Sequence, residues 1–336
     1  LIRRLDWIKA YNRRLATIQR SRFQNSFLLS YPFKLTVCTG NVCNLKCVLC
    51  PVGQGSQERG KGILSLETFQ NLMSECGRFL YELDLFHWGE PLLNPNLVAM
   101  IELAKRWNIR VTVGSNLSLL TRDLCEQLIR SGLDHLIVSL HGASQQTMER
   151  YQRGNDLQHV VESIRLFMET RKRLKSIHPK VSWRFLVHRY NEREVDIARS
   201  KAKELNVDVL DLAPLRCDMG KELFMDSRTQ LQQIENWLPS EEAYSLYDYR
   251  QRQKKRIRNN DCDWLWTRSA IQWNGAVSPC CAVWPERHDF GNLRDQSFFR
   301  VWNGPRYKKA RAMVAGKIPL DRQNICGICI SNRAQI

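Results

Sequence analysis

Three cysteines, Cys43, Cys47 and Cys50, stand in the spacing C-x3-C-x2-C. Three thiolates on one short loop can hold three corners of a cubane iron–sulfur cluster, whose protein ligands are ordinarily four cysteines. One iron is then open to another ligand, which makes the site reactive rather than only structural. Zinc is the alternative for such a loop, since it takes four cysteines, or three and a histidine. A haem attachment is excluded, because Pro51 follows Cys50 where C-x-x-C-H requires histidine. A zinc knuckle would bring a second ligand pair close by, and no further cysteine or histidine follows before Cys76.

A second set of thiols lies near the C-terminus. Asn274-Gly275, between Ile271-Gln-Trp273 and Ala276-Val-Ser278, signals a two-residue hairpin that carries Cys280 back towards Cys262. The closing pair Cys326 and Cys329, in C-x2-C spacing, supplies two more thiolates and completes a four-cysteine site. Zinc is again the alternative. Cys38, Cys76 and Cys125 fall in strand-like or helix-like segments and read as core.

These groups need a frame. Strand-like segments at Leu35–Thr39, Leu83–His87, Arg110–Gly114, His135–Leu140, Ser182–Val187 and Val207–Leu212 alternate with amphipathic helices. The helices read as Leu66–Leu80, Leu97–Trp107, Arg122–Ser131, Leu157–Lys172 and Glu192–Leu205. Six βα units imply a parallel sheet with helices outside it, curled by right-handed crossovers into an incomplete TIM-like barrel. Active sites of such barrels lie at the C-terminal ends of the strands, where the cysteine loop falls after the first strand. The fold class is therefore α/β, a partial (β/α)6 barrel followed by a small cysteine-bearing domain. The expected divisions are 1–32, a basic amphipathic arm; 33–225, the barrel; 226–260, a charged helical linker; and 261–336, the C-terminal domain. In the arm, Leu1, Leu5, Ile8, Leu15 and Ile18 form the apolar face to be packed on the barrel. Arg3, Arg4, Lys9, Arg13 and Arg14 form its polar face.

The cysteine triplet resembles the signature of the radical SAM enzymes. The resemblance implies that the open iron of a 4Fe-4S cluster chelates S-adenosylmethionine. It also implies one-electron cleavage to a 5'-deoxyadenosyl radical, which abstracts hydrogen from a substrate. His87-Trp88-Gly89-Glu90-Pro91, at the end of the second strand, resembles the family's G-G-E-P motif, with Trp88 in place of the first glycine. Gly89, Glu90 and Pro91, with Asn116 after the third strand and Ser139 at the end of the fourth, match family contacts to S-adenosylmethionine. His141 stands where relatives often carry aspartate, and reads equally as a substrate-side group or a turn-stabilising one. The tail resembles the SPASM/twitch extension of these enzymes: twelve residues separate Cys262 from Gly275, and Gly275-x4-Cys280 fits its pattern. That implies an auxiliary 4Fe-4S cluster on Cys262, Cys280, Cys326 and Cys329. Cys281, beside a ligand, and Cys217, after the sixth strand, match the spare thiol that some relatives use to return a hydrogen atom.

The resemblance implies epimerisation, dehydrogenation or cross-linking but does not fix the substrate; a ribosomally made peptide, whose acidic leader would suit the basic surface, is the first expectation, and an aminosugar or nucleotide sugar the alternative. An external donor such as flavodoxin or ferredoxin would supply electrons. The chain has 336 residues and a formal net charge of +17, with basic runs at 3–22, 171–175 and 250–258. Such runs are solvated faces or sites for an acidic or anionic partner. No RRM, KH or zinc-finger signature accompanies them, which counts against nucleic acid; a metal-binding nucleic-acid scaffold, which would account for the cysteines and the charge, is the non-enzymatic alternative. Gly55 to Gly62 nearly spells a P-loop, but Gly62 replaces the hydroxyl residue that would bind magnesium. Twelve cysteines, two pairs of them in C-x2-C spacing, with no signal peptide or membrane span, point to metal chemistry in a reducing cytoplasm.

Overall fold

A computed structural model of the chain describes residues 2–215, 234–248, 253–254 and 262–334. Six short strands run parallel in sequence order: β1 (Lys34–Val37), β2 (Glu82–Asp84), β3 (Arg110–Ser115), β4 (His135–Ser139), β5 (Lys180–Val187) and β6 (Val209–Pro214). Side chains alternate across a strand. Leu35, Val37, Leu83, Val113, Val138 and Phe185 therefore share the buried outer face, each fully inaccessible. The opposite face carries Lys34, Asp84, Thr112, His135 and Arg184, all only half-buried. Purely parallel sheets are usually apolar on both faces. Here the inner face is a polar lumen open to solvent, not a packed core.

Helices cover the outer face: α1 (Ile2–Ser21) precedes the barrel, then α2 (Leu66–Cys76), α3 (Leu97–Arg106) and α4 (Arg122–Arg130), α5 (Gln145–Tyr151), α6 (Leu157–Arg173) and α7 (Val195–Glu204). Ser65, Thr121 and Asp156 accept from backbone N–H groups at the starts of α2, α4 and α6, as N-cap residues do. The helix expected to reach Leu80 ends at Cys76, where Gly77 opens a 3-10 turn. The sequence does not announce α5, because its seven residues bury only Met148 and Tyr151 and show no periodicity. Of the helical linker expected over 226–260, the described part holds 3-10 turns at Glu235–Trp237 and Glu242–Tyr244. It also holds a two-residue ribbon pairing Tyr247–Asp248 with Gln253–Lys254; the remainder lies outside the described residues.

The C-terminal hairpin forms as its turn residues require, with Gly275 at φ 80°. Its placement is not a separate layer. Strand β7 (Arg268–Ile271) pairs parallel with β1, Leu35 opposite Ser269 and Val37 opposite Ile271. Strands β8 (Ala276–Ser278) and β9 (Gly291–Asn292) continue antiparallel. One sheet, β9-β8-β7-β1-β2-β3-β4-β5-β6, thus carries both cysteine regions among the described residues. Four helices complete the tail: α8 (Trp264–Thr267), α9 (Phe298–Trp302), α10 (Pro305–Val314) and α11 (Ile325–Ala334).

The N-terminal helix corrects the sequence reading. It packs through Leu5, Lys9, Asn12, Ala16 and Gln19, while Ile18 is 36% exposed and Trp7 77%. The reason is polar. Lys9 Nζ donates to Trp107 O and Asn108 O, both at 2.7 Å, and so caps the end of α3. Asn12 Nδ2 donates to Tyr31 O and its Oδ1 accepts from Tyr31 N, while Gln19 Oε1 accepts from Ser30 N. Specific bonds to otherwise orphaned backbone groups outweigh the apolar stripe. Lys9→Ala would leave both carbonyls unpaired, so chemical denaturation should show a loss of about 1–3 kcal/mol. Ile18→Ser should be close to neutral in the same assay.

Candidate active site

The loop after β1 brings Cys43, Cys47 and Cys50 together at the C-terminal end of the barrel, each half-buried. A two-residue ribbon pins the loop from outside, Lys46 opposite Arg153 and Cys47 opposite Gln152. Leu45 N donates to Cys43 Sγ at 3.4 Å. Burial raises the Cys47 thiol far above its ordinary value, and Cys50 and Cys43 raise it further. Cys43 is pushed up to about 11, chiefly by burial. Three thiols gathered out of water beside one another favour the neutral form unless a cationic centre takes their thiolates. That donor set fits an iron–sulfur core, which binds thiolates. Among the described residues, no group of three or more histidine, cysteine, aspartate or glutamate side chains is placed to hold a single metal ion.

Gly89, Glu90 and Pro91 lie directly against this loop. Gly89 has φ 78°, and a Cβ there would stand 2.4 Å from Gly40 O and 2.6 Å from Val42 O. Only glycine allows the two chain segments to approach so closely. The next residue closes the contact, Glu90 N donating to Val42 O at 2.8 Å. The Glu90 carboxylate accepts from Leu92 N, Ser115 Oγ and Asn116 N, at 3.0, 2.7 and 2.8 Å. Burial nevertheless raises its pKa, the three donors working against that rise. Asn116 Nδ2 reaches Asn44 Oδ1 at 3.1 Å and lies 3.9 Å from Cys43 Sγ. Ser139 is half-buried opposite Arg184 in the next strand. The ends of β1 to β4 thus converge on the triplet, with Glu90 tying the second to the third.

His141 is used structurally: its Nδ1 accepts from Leu186 N at 3.1 Å, and burial lowers its pKa to about 3. The sequence reading passed over Tyr151, a buried phenol whose pKa burial raises and the Cys47 and Cys50 thiols raise further. It gave His87 no role beyond its place before Gly-Glu-Pro, and it rejected segment 55–62 as a phosphate loop without assigning it another part. That segment is a strap. Arg59, 1% exposed, pairs with Asp289 at 2.8 Å and donates to Trp284 O at 2.9 Å. Trp273 Nε1 donates to Gly60 O, and its ring lies where a Gly62 Cβ would be, within 2.2 Å. No local pattern marks these residues, because their partners lie more than two hundred positions away in sequence.

The strap anchors the C-terminal hairpin beside the barrel mouth. His87 Nε2 donates to Cys281 O at 2.6 Å, so Nδ1 is the unprotonated nitrogen. Burial lowers the imidazole pKa to about 4, which keeps it neutral. Trp88 packs edge-on against Trp284 with centroids 5.3 Å apart. Beyond them, Cys280 is half-buried; desolvation raises its thiol, as do Cys281, Cys329 and Cys262. The thiols of Cys326 and Cys280 both act on Tyr307. Cys262, Cys280, Cys326 and Cys329 are therefore one neighbourhood, again a donor set that fits an iron–sulfur core. Cys217 lies outside the described residues.

Gly89→Ala should separate the second strand end from the cysteine loop, at a cost of about 1–3 kcal/mol in backbone strain alone. Iron bound per chain, measured with Cys280→Ala present, should fall well below that of Cys280→Ala by itself; equal iron would show that the close approach is dispensable.

Comparison with known proteins agrees with this geometry. Residues 37–198 match the radical SAM superfamily, and residues 262–330 match the SPASM iron–sulfur cluster-binding domain. The tungsten-containing aldehyde ferredoxin oxidoreductase cofactor-modifying protein of Pyrococcus furiosus is 22% identical over 293 residues, 79% of this chain and 79% of that one. The PqqA peptide cyclase of Gluconobacter oxydans is 24% identical over 287 residues, 82% of this chain and 78% of the relative. Among solved structures, Streptococcus suis SuiB bound to precursor peptide SuiA superposes with a TM-score of 0.63 at 13% identity. The match covers 95% of this chain and 74% of SuiB, a likeness of fold. The cofactors that these two domains imply are S-adenosylmethionine with the 4Fe-4S cluster that binds it, and an auxiliary 4Fe-4S cluster. A partial barrel that gathers three thiols and a Gly-Glu-Pro turn at its mouth, with four more thiols on the hairpin-bearing tail that joins its sheet, belongs to the radical SAM superfamily and carries a C-terminal SPASM domain.

Proposed function

We propose that this radical SAM enzyme abstracts hydrogen from a carbon of a ribosomally made peptide, leading to epimerisation, dehydrogenation or cross-linking. In this reading Cys43, Cys47 and Cys50 hold the first cluster, and Gly89, Glu90, Pro91, Asn116 and Ser139 hold S-adenosylmethionine. Cys262, Cys280, Cys326 and Cys329 hold the second cluster. When bound, the cofactors supply a 5'-deoxyadenosyl radical at the barrel mouth. The chain's own residues orient the substrate and keep water out. Peptides are named among the relatives' substrates, PqqA for the cyclase and SuiA for SuiB, and the +17 charge suits an acidic one. The half-buried polar lumen is what favours the second reading, an aminosugar or nucleotide sugar. No described helix is long and apolar enough to cross a membrane.

The observation that carries the chemistry furthest is the 2.6 Å bond from His87 to the Cys281 carbonyl. It ties Cys281 to the strand end that leads into Gly89 and Glu90. Cys281 is accordingly the preferred hydrogen donor, and Cys217 the alternative. Donation of a hydrogen atom from sulfur leaves a thiyl, and one electron and one proton restore it. An external donor of the flavodoxin or ferredoxin class would supply the electron.

Anaerobically reconstituted protein given S-adenosylmethionine and a strong reductant should release 5'-deoxyadenosine. Replacing Cys43, Cys47 and Cys50 with alanine should abolish that release, and release without them would remove the assignment. With an epimerisable peptide in heavy water, the wild-type product should gain deuterium. Cys281→Ala should lose that incorporation at least tenfold while still releasing 5'-deoxyadenosine; undiminished incorporation would transfer the role to another thiol.

A further inference from the structure

Arg311 in α10 is fully buried, yet no carboxylate lies within ion-pair distance of it among the described residues. Its Nε donates to Leu265 O at 2.7 Å and its Nη1 to Ser26 O at 2.9 Å. Its Nη2 is buried without a partner. The guanidinium lies 4.4 Å from the centroid of the Trp302 ring and 5.1 Å from that of Tyr307. Carbonyls and ring faces temper a cation but do not neutralise it. An unpaired buried charge costs several kcal/mol, and burial already lowers this guanidinium to about 9.

The compensating anion is to be sought beyond Tyr307. That phenol, against which Arg311 lies, donates its hydroxyl to Ser278 O, two residues before Cys280. Burial raises its pKa; Ser269 and Arg311 oppose that rise, and the Cys326 and Cys280 thiols add to it. Leu265, whose carbonyl Arg311 holds, is three residues past Cys262. A cubane held by four thiolates carries net negative charge, and one unit more when reduced. We propose that Arg311 is the buried counter-charge of the auxiliary cluster and holds its reduction potential up. A nearby cation stabilises the more negative, reduced state over the oxidised one, and in a low-dielectric interior that difference is little screened. Its role is positioning and tuning; it touches no reacting atom. The proposal rests on the reading that Cys262, Cys280, Cys326 and Cys329 hold a cluster.

The test uses full-length chain with Cys43, Cys47 and Cys50 replaced by alanine, so that only the auxiliary site reports. Iron per chain checks the ligand reading, and a redox titration followed by electron paramagnetic resonance checks Arg311. Arg311→Gln keeps an amide donor for the Leu265 carbonyl and removes the charge. With iron content unchanged, its midpoint should move to a more negative potential, while Arg311→Lys should stay near the parent value. An unmoved midpoint in Arg311→Gln, or a lysine variant shifted as far, would overturn the proposal. Should Arg311→Gln fail to fold, hydrogen exchange on the triple-alanine parent decides. Stripping the auxiliary iron with a chelator should accelerate exchange in 24–30 and 264–267, the segments Arg311 anchors, and unchanged exchange there would also overturn it.

Discussion

Strand β1 pairs on both sides, with β2 towards the barrel and with β7 towards the C-terminal hairpin, and the rest of the molecule depends on that second pairing. Because both partners run parallel to β1, all three strands end at the same edge of the sheet. The loop after β1 holds Cys43, Cys47 and Cys50. The turn after β7 leads through the hairpin to Cys280 and Cys281. Strand β8 then runs back antiparallel, so it is the His87–Cys281 bond, not strand direction, that brings two segments far apart in sequence together at the barrel mouth. No flexible tether between independent domains could place them so reproducibly, since relative motion is the default for linked domains.

The strap then converts proximity into a fixed distance. Arg59 and Asp289 form an ion pair with almost no exposure, and a buried pair of this kind stabilises little in itself. What it contributes is geometry, since either charge without the other would be expensive to bury. Trp284, Trp88 and the His87–Cys281 bond complete the wall between the two thiol neighbourhoods. The same logic operates at the barrel's other end, where buried Lys9 and Asn12 fix α1 through backbone carbonyls. In both places a buried polar contact selects one arrangement over apolar alternatives of similar area.

Much of the barrel was legible from pattern. The six strands were found within two or three residues of their ends, because outer-face residues such as Leu35, Val37, Val111 and Val113 alternate with polar ones. The long helices were found because their apolar residues recur over three or more turns. Short α5 escaped for want of periodicity, and α1 was assigned the wrong inward face. Hydrophobic patterning assumes that apolar area decides orientation, and it cannot foresee that Lys9 will find two unpaired carbonyls at the end of α3. The hairpin at Asn274-Gly275 was legible as local turn chemistry. That its first strand would extend the barrel sheet was not, since β-pairing over more than two hundred residues leaves no local trace.

By itself, then, the sequence determined which chemistry is present: cysteine spacing fixes which thiolates one short loop can offer, and Gly-Glu-Pro at a strand end needs only local backbone rules. It likewise determined the alternation of strands and helices, which is read within windows of a few residues. Only the tertiary structure decided that the C-terminal hairpin extends the barrel sheet, that residues 55–62 strap it to the barrel, and that Cys281 is held at the barrel mouth. Those outcomes rest on hydrogen bonds, ion pairs and ring contacts between residues distant in sequence. Their free energy depends on burial, which exists only once the chain has folded.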